Sequence, residues 1–332
     1  MANQTGSLGE FGRIERFFRP LARNFPGALS LDDDAAIISV PVGKELVVTT
    51  DAVVAGIHFL PSDTPADIAR KALRVNLSDL AAKGACPLAY TLTLAIGRDV
   101  DDDWIEAFAS ALADDQTRYR IELTGGDSVS TLGPVWVSIT AFGLVDSGRM
   151  VRRSGAQVGD RVLVTGTVGD AALGLAALQG RLGVSDEDRA ELSSRYRLPQ
   201  PRSDLAVAVA DFAHAALDVS DGLAADFGHL CRASGVGGKI WASNVPLSPA
   251  ATKIISADPS WLPEVLGGGD DYEILLTAPP GAVPALVAAA TGVGIALTEI
   301  GVIEPGGSSS RADIVDDEGT PLALPKSGWT HS

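Results

Sequence analysis

Aspartates stand beside small or hydroxyl residues in five short motifs of this sequence. The motifs read Asp32-Asp33-Asp34-Ala35-Ala36, Thr49-Thr50-Asp51, Asn76-Leu77-Ser78-Asp79, Gly125-Gly126-Asp127-Ser128 and Asp218-Val219-Ser220-Asp221-Gly222. Each motif stands where a hydrophobic run ends or a helix is expected to begin, so the side chains can converge on one cleft. Converged carboxylates repel one another unless hard cations neutralise them, and oxygen-only ligands suit Mg²⁺, which binds through a few carboxylates plus substrate phosphates. The pattern therefore predicts a metal-dependent phosphate-transfer site.

Two aspartate triplets need separate interpretations. Asp101-Asp102-Asp103 precedes an amphipathic segment, so these acids are expected to cap a helix, whose positive dipole end favours negative charge. Asp32-Asp33-Asp34 precedes a predicted strand at residues 35–40, so helix capping does not explain it. A solvated turn remains the alternative to a ligand role for this second triplet.

The sequence contains none of the common phosphate-binding signatures. The motif Gly-x-x-x-x-Gly-Lys-[Ser/Thr], a Gly-x-Gly-x-x-Gly that opens a helix after a strand, and the protein-kinase set are all missing. Phosphates would then be held by metal-bound aspartates, glycine-rich backbone and arginines. Gly166-Thr167-Val168-Gly169-Asp170 would expose N–H groups at a helix start, while Gly267-Gly268-Gly269 indicates close approach of a ligand or a sharp bend. Arg152-Arg153 suits bidentate phosphate binding, with an ordinary surface linker as the alternative.

Composition excludes several classes of protein. The chain has 332 residues, a net charge of −16 and two cysteines. Its length favours about two domains, and its negative charge argues against the basic surface of a nucleic-acid-binding protein. Cys86 and Cys231 are far apart, so neither a disulfide framework nor a zinc site is expected.

The segment from Met1 to Gly12 has no apolar signal core, so a cytoplasmic protein is expected. Residues 274–298 are uncharged, but prolines and glycines interrupt them, so we predict strand, turn and short helix rather than a membrane span.

Hydrophobic periodicity predicts alternating helices and strands. In the first half the predicted elements are a helix at 9–25, strands at 35–40 and 45–50, a helix from Thr64-Pro65 to Lys83, and strands at 88–96 and 134–145. In the second half they include strands at 161–165, 215–219 and 272–277, and helices at 170–178, 204–212 and 223–233. A Gly-, Arg- and Ser-rich stretch between them gives predicted domains 1–148 and 149–332. This alternation indicates an α/β or α+β fold.

Taken in order, the motifs resemble the thiamine-monophosphate kinase family. The resemblance rests on Thr50-Asp51, Gly56-Ile57-His58-Phe59, Asn76-Leu77-Ser78-Asp79-Leu80-Ala81-Ala82-Lys83-Gly84-Ala85, Gly125-Gly126-Asp127, Arg153-Ser154-Gly155-Ala156, Val164-Thr165-Gly166, Asp218-Val219-Ser220-Asp221-Gly222-Leu223 and Asp271-Tyr272-Glu273. Each motif is weak by itself, but the ordered set is specific and the resemblance covers most of the chain. The wider superfamily includes aminoimidazole ribonucleotide synthetase, selenophosphate synthetase and a hydrogenase-maturation protein.

The resemblance implies transfer of the γ-phosphoryl group of ATP to thiamine monophosphate, which gives thiamine diphosphate. It implies a two-domain aminoimidazole ribonucleotide synthetase-like fold of the α/β (α+β) class. The N-terminal domain would bind metal and ATP and would form a homodimer by joining two sheets into a β-barrel. ATP and several Mg²⁺ ions would lie in a cleft beside the α/β C-terminal domain.

The resemblance also implies roles for single residues. Magnesium would be held by Asp34, Thr49, Thr50, Asp51, Asp79, Asp127, Asp218 and Asp221. ATP would be contacted by Gly126, Asp127, Arg153 and Ser220, and thiamine monophosphate by His58, Asp270 and Trp329. The thiazolium cation of the substrate favours an aromatic face such as that of the tryptophan. No general base is expected, because the acceptor is a phosphate monoester whose second pKa is about 6.

Three positions depart from the family pattern. Asp32-Asp33-Asp34 stands where Gly-Asp-Asp is usual, so an extra carboxylate enters the turn. Asp270 stands where glutamate is frequent, which shortens the reach to the substrate by one methylene. A position that can be a tyrosine contact to ATP aligns near Ala109, so no role is assigned there.

Two other functions stay open at this point. One is another ATP-using synthetase of the superfamily, although selenophosphate synthetase would need a reactive cysteine near the N-terminus and none precedes Cys86. The other is a non-catalytic metal- or nucleotide-binding protein. Against that function, no EF-hand spacing is present, and the scattered acidic motifs exceed the needs of one structural ion.

Overall fold

The computed structural model describes residues 8–97, 100–306 and 312–324. The chain divides into two compact units. The first unit comprises Met1–Leu77 and Pro87–Leu144, and the second comprises Ser78–Cys86 and Val145–Ser332. The second unit therefore includes a short segment that lies in the first half of the sequence.

The first unit begins with a helical path. Helix α1 (Glu10–Arg13) continues as one π turn (Ile14–Phe18), whose aromatic residues are buried, and then as a 3₁₀ turn (Arg19–Ala22). Pro20 lacks a backbone N–H, so a regular α-helix does not continue through it. The helix predicted at 9–25 is confirmed in its position, with a hydrogen-bond pattern that changes along its length.

Four strands form the sheet of the first unit. They are β1 (Lys44–Val54), β2 (Cys86–Ile96), β3 (Glu122–Ser130) and β4 (Trp136–Asp146). The spatial order is β1-β4-β2-β3, so among the described residues the sheet is open, with β1 and β3 at its edges. The strands predicted at 45–50, 88–96 and 134–145 are confirmed. The first two are longer than expected, and the third begins two residues later and ends one residue later.

The strand predicted at residues 35–40 is wrong. This stretch is irregular, and the Ile37 N–H donates to the Gly27 carbonyl at 2.8 Å instead of joining a ladder. A strand needs a neighbouring strand to pair its backbone groups, and none of the described strands pairs with this segment. The side chain of Ile37 is 62% exposed, so its apolar character does not report burial in this unit.

Strands β2 and β3 are parallel and bring their backbones very close at one glycine. Leu92 lies opposite Gly126 in the register, and a Cβ atom on Gly126 would stand 1.9 Å from the Leu92 carbonyl oxygen. Only glycine fits such an approach. Gly126 therefore has a packing role in the sheet as well as any role of its motif towards a ligand.

Two helices of the first half begin as their sequences predict. Helix α2 (Pro65–Ala82) has proline at its first position, and the Thr64 hydroxyl accepts the Asp67 N–H at 3.1 Å. Helix α3 (Asp102–Tyr119) is capped by Asp101, whose carboxylate accepts the Trp104 N–H at 2.9 Å. The capping interpretation of the Asp101 triplet is confirmed, so this triplet does not belong to the set of candidate ligands.

The second unit is built on a six-stranded mixed sheet. Its strands are β5 (Arg161–Thr165), β6 (Ala215–Asp218), β7 (Gly237–Trp241), β8 (Ile274–Ala278), β9 (Leu297–Glu304) and β10 (Ala312–Val315). They lie in the order β10-β7-β9-β5-β8-β6, with β5 antiparallel to both neighbours. Because β5 and β8 are buried on both faces, they read as continuous apolar runs in the sequence.

Helices cover this sheet. They are α4 (Asp170–Leu178), α5 (Asp186–Arg197), α6 (Ala206–Phe212), α7 (Leu223–Ser234), α8 (Pro249–Ala257), α9 (Leu262–Gly267) and α10 (Val283–Gly292). The predicted α/β class is confirmed. The uncharged stretch at 274–298 forms β8, α10 and the start of β9, and no helix in the described part of the chain is long and apolar enough to cross a bilayer.

A buried ion pair links two helices of the first unit. Arg74 of α2 donates from Nε and Nη2 to the two carboxylate oxygens of Asp115 in α3, at 2.7 and 2.8 Å. The side chains are only 7% and 2% exposed. A neighbouring pair, Arg70 and Asp114, spans the same helices at 3.0 Å, but its aspartate is 68% exposed. The two pairs therefore allow a direct comparison of buried and exposed partners.

We expect Asp115→Asn to lower the free energy of unfolding by about 3–5 kcal/mol, because it leaves a buried guanidinium without its counter-charge. Asp114→Asn should change it by less than about 1 kcal/mol, since water screens that pair. Urea unfolding followed by circular dichroism measures both. Equal effects of the two substitutions would contradict the assignment of Arg74–Asp115 as a dominant contact of this unit.

Candidate functional site

Two acidic motifs of the first unit line one cavity of about 420 Å³. Asp33 and Asp34 come from the turn after the N-terminal helical path, and Gly126 and Asp127 come from β3. The cavity has an apolar wall formed by Ile14, Phe18, Leu92, Leu94 and Leu123. Residues about ninety positions apart in sequence thus line one cavity, which has polar groups at its edge and an apolar wall. Small-molecule sites usually have this character.

The Thr49-Thr50-Asp51 motif lies inside β1. Successive side chains of a strand alternate between its faces, so Thr49 and Asp51 share one face and Thr50 points to the other. The Thr50 hydroxyl donates to the Ile139 carbonyl at 3.2 Å and accepts from Thr140 at 3.1 Å. An ion on the face of Asp51 would therefore reach Thr50 only through its backbone carbonyl.

His58 is held by the end of β1. Its Nδ1 accepts the Val54 N–H at 3.1 Å, and its carbonyl accepts the Lys71 ammonium at 2.7 Å. Because Nδ1 acts as the acceptor, the neutral ring carries its proton on Nε2. The Nε2–H group is thus the atom of His58 that can donate to a phosphate or another acceptor of a ligand.

In the second unit, the carboxylates of Asp79 and Asp218 are close enough for their charges to repel each other. Asp79 lies in the last turn of α2 and Asp218 ends β6. Burial raises the pKa of Asp218 well above its usual range, and the charge of Asp79 raises it further. One turn beyond Asp79, the Lys83 ammonium donates to the Ala216 carbonyl at 2.7 Å, and burial lowers its pKa against the opposing effect of both aspartates. One ammonium thus partly compensates two acids.

The turn between β6 and α7 carries Ser220 and Asp221. Asp226, only 2% exposed, accepts the Ser220 and Asp221 N–H groups at 3.1 and 3.0 Å. Burial raises the pKa of Asp226 to about 7, and the neighbouring Asp221 adds to the shift. Within the described chain, ligand atoms of Asp221, Asp226 and His229 lie within 4.8 Å of one another. The exposed Arg153 is near enough to influence the pKa of Asp226.

Sequence reasoning missed Asp226. Its only signal is an acid in the first turn of a helix, which is common without any ligand. Its actual role, accepting two N–H groups of the preceding turn, depends on where that turn lies in space, so the residue type alone does not reveal it.

At the glycine-rich turn before α4, N–H groups donate to a carboxyl group of the chain itself. The Asp271 carboxylate accepts the Gly169 N–H at 2.7 Å and the Ala171 N–H at 3.4 Å. Asp271 is 3% exposed, and burial raises its pKa well above the usual range. The Gly169 N–H, which the sequence suggested for phosphate binding, is therefore occupied. The Gly166 and Val168 N–H groups are also bound, since they donate to the Ala296 and Pro246 carbonyls.

Glu273, two residues further on, is the centre of a buried polar network. Its carboxylate accepts Arg195 Nη2 and Arg202 Nε, each at 2.7 Å, and the Thr165 hydroxyl at 2.6 Å. Glu273 has no exposed surface. This network fixes the end of β5 against the start of β8.

The candidate substrate residue Asp270 directly precedes Asp271 and is partly buried. Its backbone is left-handed, with φ of +71°, and its carboxylate accepts the Tyr272 hydroxyl at 3.2 Å. Trp329, the other candidate substrate residue of the C-terminal half, lies outside the described residues.

Comparison with known proteins identifies both halves of the chain. Residues 32–145 match the AIR synthase related protein N-terminal domain, and residues 157–313 match the corresponding C-terminal domain. The thiamine-monophosphate kinase of Caulobacter vibrioides is 43% identical, over 97% of this chain and 90% of that protein. The enzyme of the same name from Escherichia coli is 41% identical, over 98% of each chain.

Solved structures agree with the sequence comparison. The crystal structure of thiamine-monophosphate kinase from Stenotrophomonas maltophilia superposes with a TM-score of 0.82 at 38% identity, covering 96% of this chain and 99% of that one. A structure described as AaThiL complexed with AMPPCP and TMP superposes with a TM-score of 0.76 at 29% identity, covering 99% and 100%. The chain therefore belongs to the thiamine-monophosphate kinase family of the AIR synthase related proteins.

Proposed function

We propose that this protein transfers the γ-phosphoryl group of ATP to thiamine monophosphate, giving thiamine diphosphate and ADP. The observation that carries this proposal is the cavity of the first unit, which joins Asp34, Gly126 and Asp127 in front of an apolar wall. That combination suits a nucleotide, whose base is apolar and whose phosphates need metal-bound oxygen ligands. The identity of the acceptor is supported by relatives of this name that match nearly the whole chain.

Magnesium fits the oxygen-rich donor sets of both units. Asp218 is buried beside Asp79, and a divalent cation would allow both to remain ionised. The residues proposed to hold Mg²⁺ are Asp34, Thr49, Thr50, Asp51 and Asp127 in the first unit and Asp79, Asp218 and Asp221 in the second. When bound, the metal supplies charge neutralisation and alignment for in-line displacement.

The protein's own residues have the task of holding two polyanions in place. We propose that the Gly126 backbone, Arg153 and Ser220 contact ATP, and that His58 and Asp270 contact the acceptor. A guanidinium can bind phosphate oxygens in pairs, and the Nε2–H of His58 is a suitable donor. The acceptor phosphate is mostly ionised at neutral pH, so none of these side chains has to remove a proton.

A homodimer is part of the proposal, with residues 1–148 as the metal-binding, ATP-binding and dimerisation domain and 149–332 as the second domain. The sheet of the first unit has β1 at an open edge, and apolar side chains around it are exposed. Val48 within this strand and Val42 just before it are 56% and 106% exposed. Joining two such sheets would bury these side chains and pair the edge.

We expect Asp51→Ala and Asp79→Ala each to lower kcat at least about 100-fold with thiamine monophosphate, ATP and Mg²⁺, because several kcal/mol of transition-state stabilisation depend on the metal. Chromatographic detection of thiamine diphosphate measures the rate. Asp114→Ala, which removes an exposed aspartate of α3, should leave the rate unchanged. Full activity in both test variants would refute their assignment as metal ligands.

Asp218→Asn should raise the melting temperature of the metal-free protein at pH 8 and abolish the additional rise that Mg²⁺ gives the wild type. The buried carboxylate has a raised pKa in the folded state, so wild-type stability falls as pH increases above the ordinary carboxyl pKa of about 4. The amide does not titrate, so the difference in melting temperature between the two metal-free proteins should shrink as pH is lowered. Thermal unfolding in chelator and in Mg²⁺ measures it; equal Mg²⁺ shifts would contradict the assignment.

Val48→Asp should convert the protein to a monomer, because a charge would enter the apolar interface proposed at β1. Light scattering coupled to gel filtration should give a mass near the 34.2 kDa of one chain for the variant and about twice that for the wild type. Val207→Asp is the matched control, since Val207 is similarly exposed, at 60%, on the second unit. A monomeric wild type would overturn the dimer proposal.

A further inference from the structure

A segment of the second unit holds two side chains in an unfavourable backbone conformation. Asp270 and Tyr272 have φ of +71° and +53°, in the left-handed region that favours glycine. For a bulky residue such as tyrosine this conformation is a true outlier that carries an energetic cost. Such strain persists only when the surrounding structure holds it, and it is concentrated at sites that act on ligands.

Backbone hydrogen bonds hold the strained segment on the turn that follows β6. The Asp270 N–H donates to the Ser220 carbonyl at 3.0 Å, and the Tyr272 N–H donates to the Val219 carbonyl at 2.8 Å. The Ser78 hydroxyl donates to the Tyr272 carbonyl at 3.3 Å. The segment is therefore attached both to the turn that carries Ser220 and to the helix turn that carries Asp79.

Glycines allow these backbones to approach without side chains between them. A Cβ atom on Gly269 would lie 2.2 Å from the Ser220 carbonyl oxygen, and one on Gly222 would lie 2.5 Å from the Gly267 carbonyl oxygen. Neither position accepts a side chain without movement of backbone. The Cα atom of Asp270 is consequently fixed with respect to Ser220.

The side chain of Asp270 is fixed separately. The Tyr272 hydroxyl donates to Asp270 Oδ1 at 3.2 Å, across only two residues of chain. The Asp270 side chain is short and partly exposed, and this hydrogen bond favours one of its rotamers. Ordering a carboxylate before a ligand arrives removes part of the entropic cost of binding.

We propose that Tyr272 is a positioning residue for the phosphate acceptor. Its hydroxyl orients the Asp270 carboxylate towards the thiazolium and aminopyrimidine rings of thiamine monophosphate. This proposal rests on the proposed function. A thiazolium ring carries a permanent positive charge and an aminopyrimidine carries N–H donors, so an oriented carboxylate is complementary to both. Recognition of the acceptor, and not of ATP, should therefore depend on the tyrosine hydroxyl.

Tyr272→Phe tests this role, because it removes the hydroxyl and keeps the ring and the backbone conformation. We expect the Kd for thiamine monophosphate, measured calorimetrically with a non-hydrolysable ATP analogue and Mg²⁺ present, to rise about tenfold, the usual loss for a hydrogen bond to a charged group. The Kd of the ATP analogue itself should change less than about twofold. Tyr196→Phe is the control, since Tyr196 is buried in α5 of the same unit, and it should leave both values unchanged.

A double-variant comparison separates positioning from a structural effect. If the hydroxyl acts through the carboxylate, Asp270→Ala and the combined Asp270→Ala/Tyr272→Phe variant should bind thiamine monophosphate equally weakly. Additive losses would show that the hydroxyl acts independently and would overturn the proposal. An unchanged Kd in Tyr272→Phe, or equal losses for both ligands together with a lower melting temperature, would also overturn it.

The binding measurement keeps this proposal distinct from the proposed function. A wild-type protein that binds thiamine monophosphate without phosphorylating it would refute the kinase activity, while the Tyr272→Phe comparison would still decide the role of the hydroxyl. A wild-type protein that does not bind thiamine monophosphate would overturn both.

Discussion

Glu273 has no exposed surface, and two guanidinium groups and a hydroxyl surround its carboxylate. Removing water from a carboxylate costs several kcal/mol, which only well-placed donors can offset. The second unit depends on this exchange, because Arg195 lies in α5, Arg202 lies in the segment after it, and Thr165 ends β5. One buried acid therefore determines how a helix, a connecting segment and two strands meet.

The same constraint distinguishes structural acids from candidate ligands. Asp271 and Asp226 each receive two backbone N–H groups, so the chain itself supplies their donors. Asp218 is buried beside another carboxylate, and the rise in its pKa is opposed by the Ser78 side chain and by the Lys83 ammonium, whose own pKa is lowered by burial. When the protein replaces only part of the water around a carboxylate, the carboxylate remains poorly stabilised. A cation that binds there gains the most favourable free energy.

Sequence reasoning succeeds here where chemistry is local. The caps of α2 and α3 depend on residues three apart, so Thr64 and Asp101 were readable from the chain alone. The strand expected at residues 35–40 is absent because pairing requires a partner, and a short apolar run carries no information about that partner. Asp226 escaped notice, and the structural role of Asp271 stayed hidden within its motif, for a related reason. An aspartate that binds backbone and one that binds metal look identical until the neighbouring segments are placed.

The division of the chain into units has a consequence for its biosynthesis. Ser78–Cys86 belongs to the second unit, and Ala81 and Ala82 are buried there in a cluster that reaches Ala290. On the ribosome this apolar end of α2 emerges early and stays uncovered until most of the polypeptide has been made. The nascent chain therefore exposes an apolar helix end for much of its translation. A gene split between the two halves would leave that end without the second-unit residues that bury it.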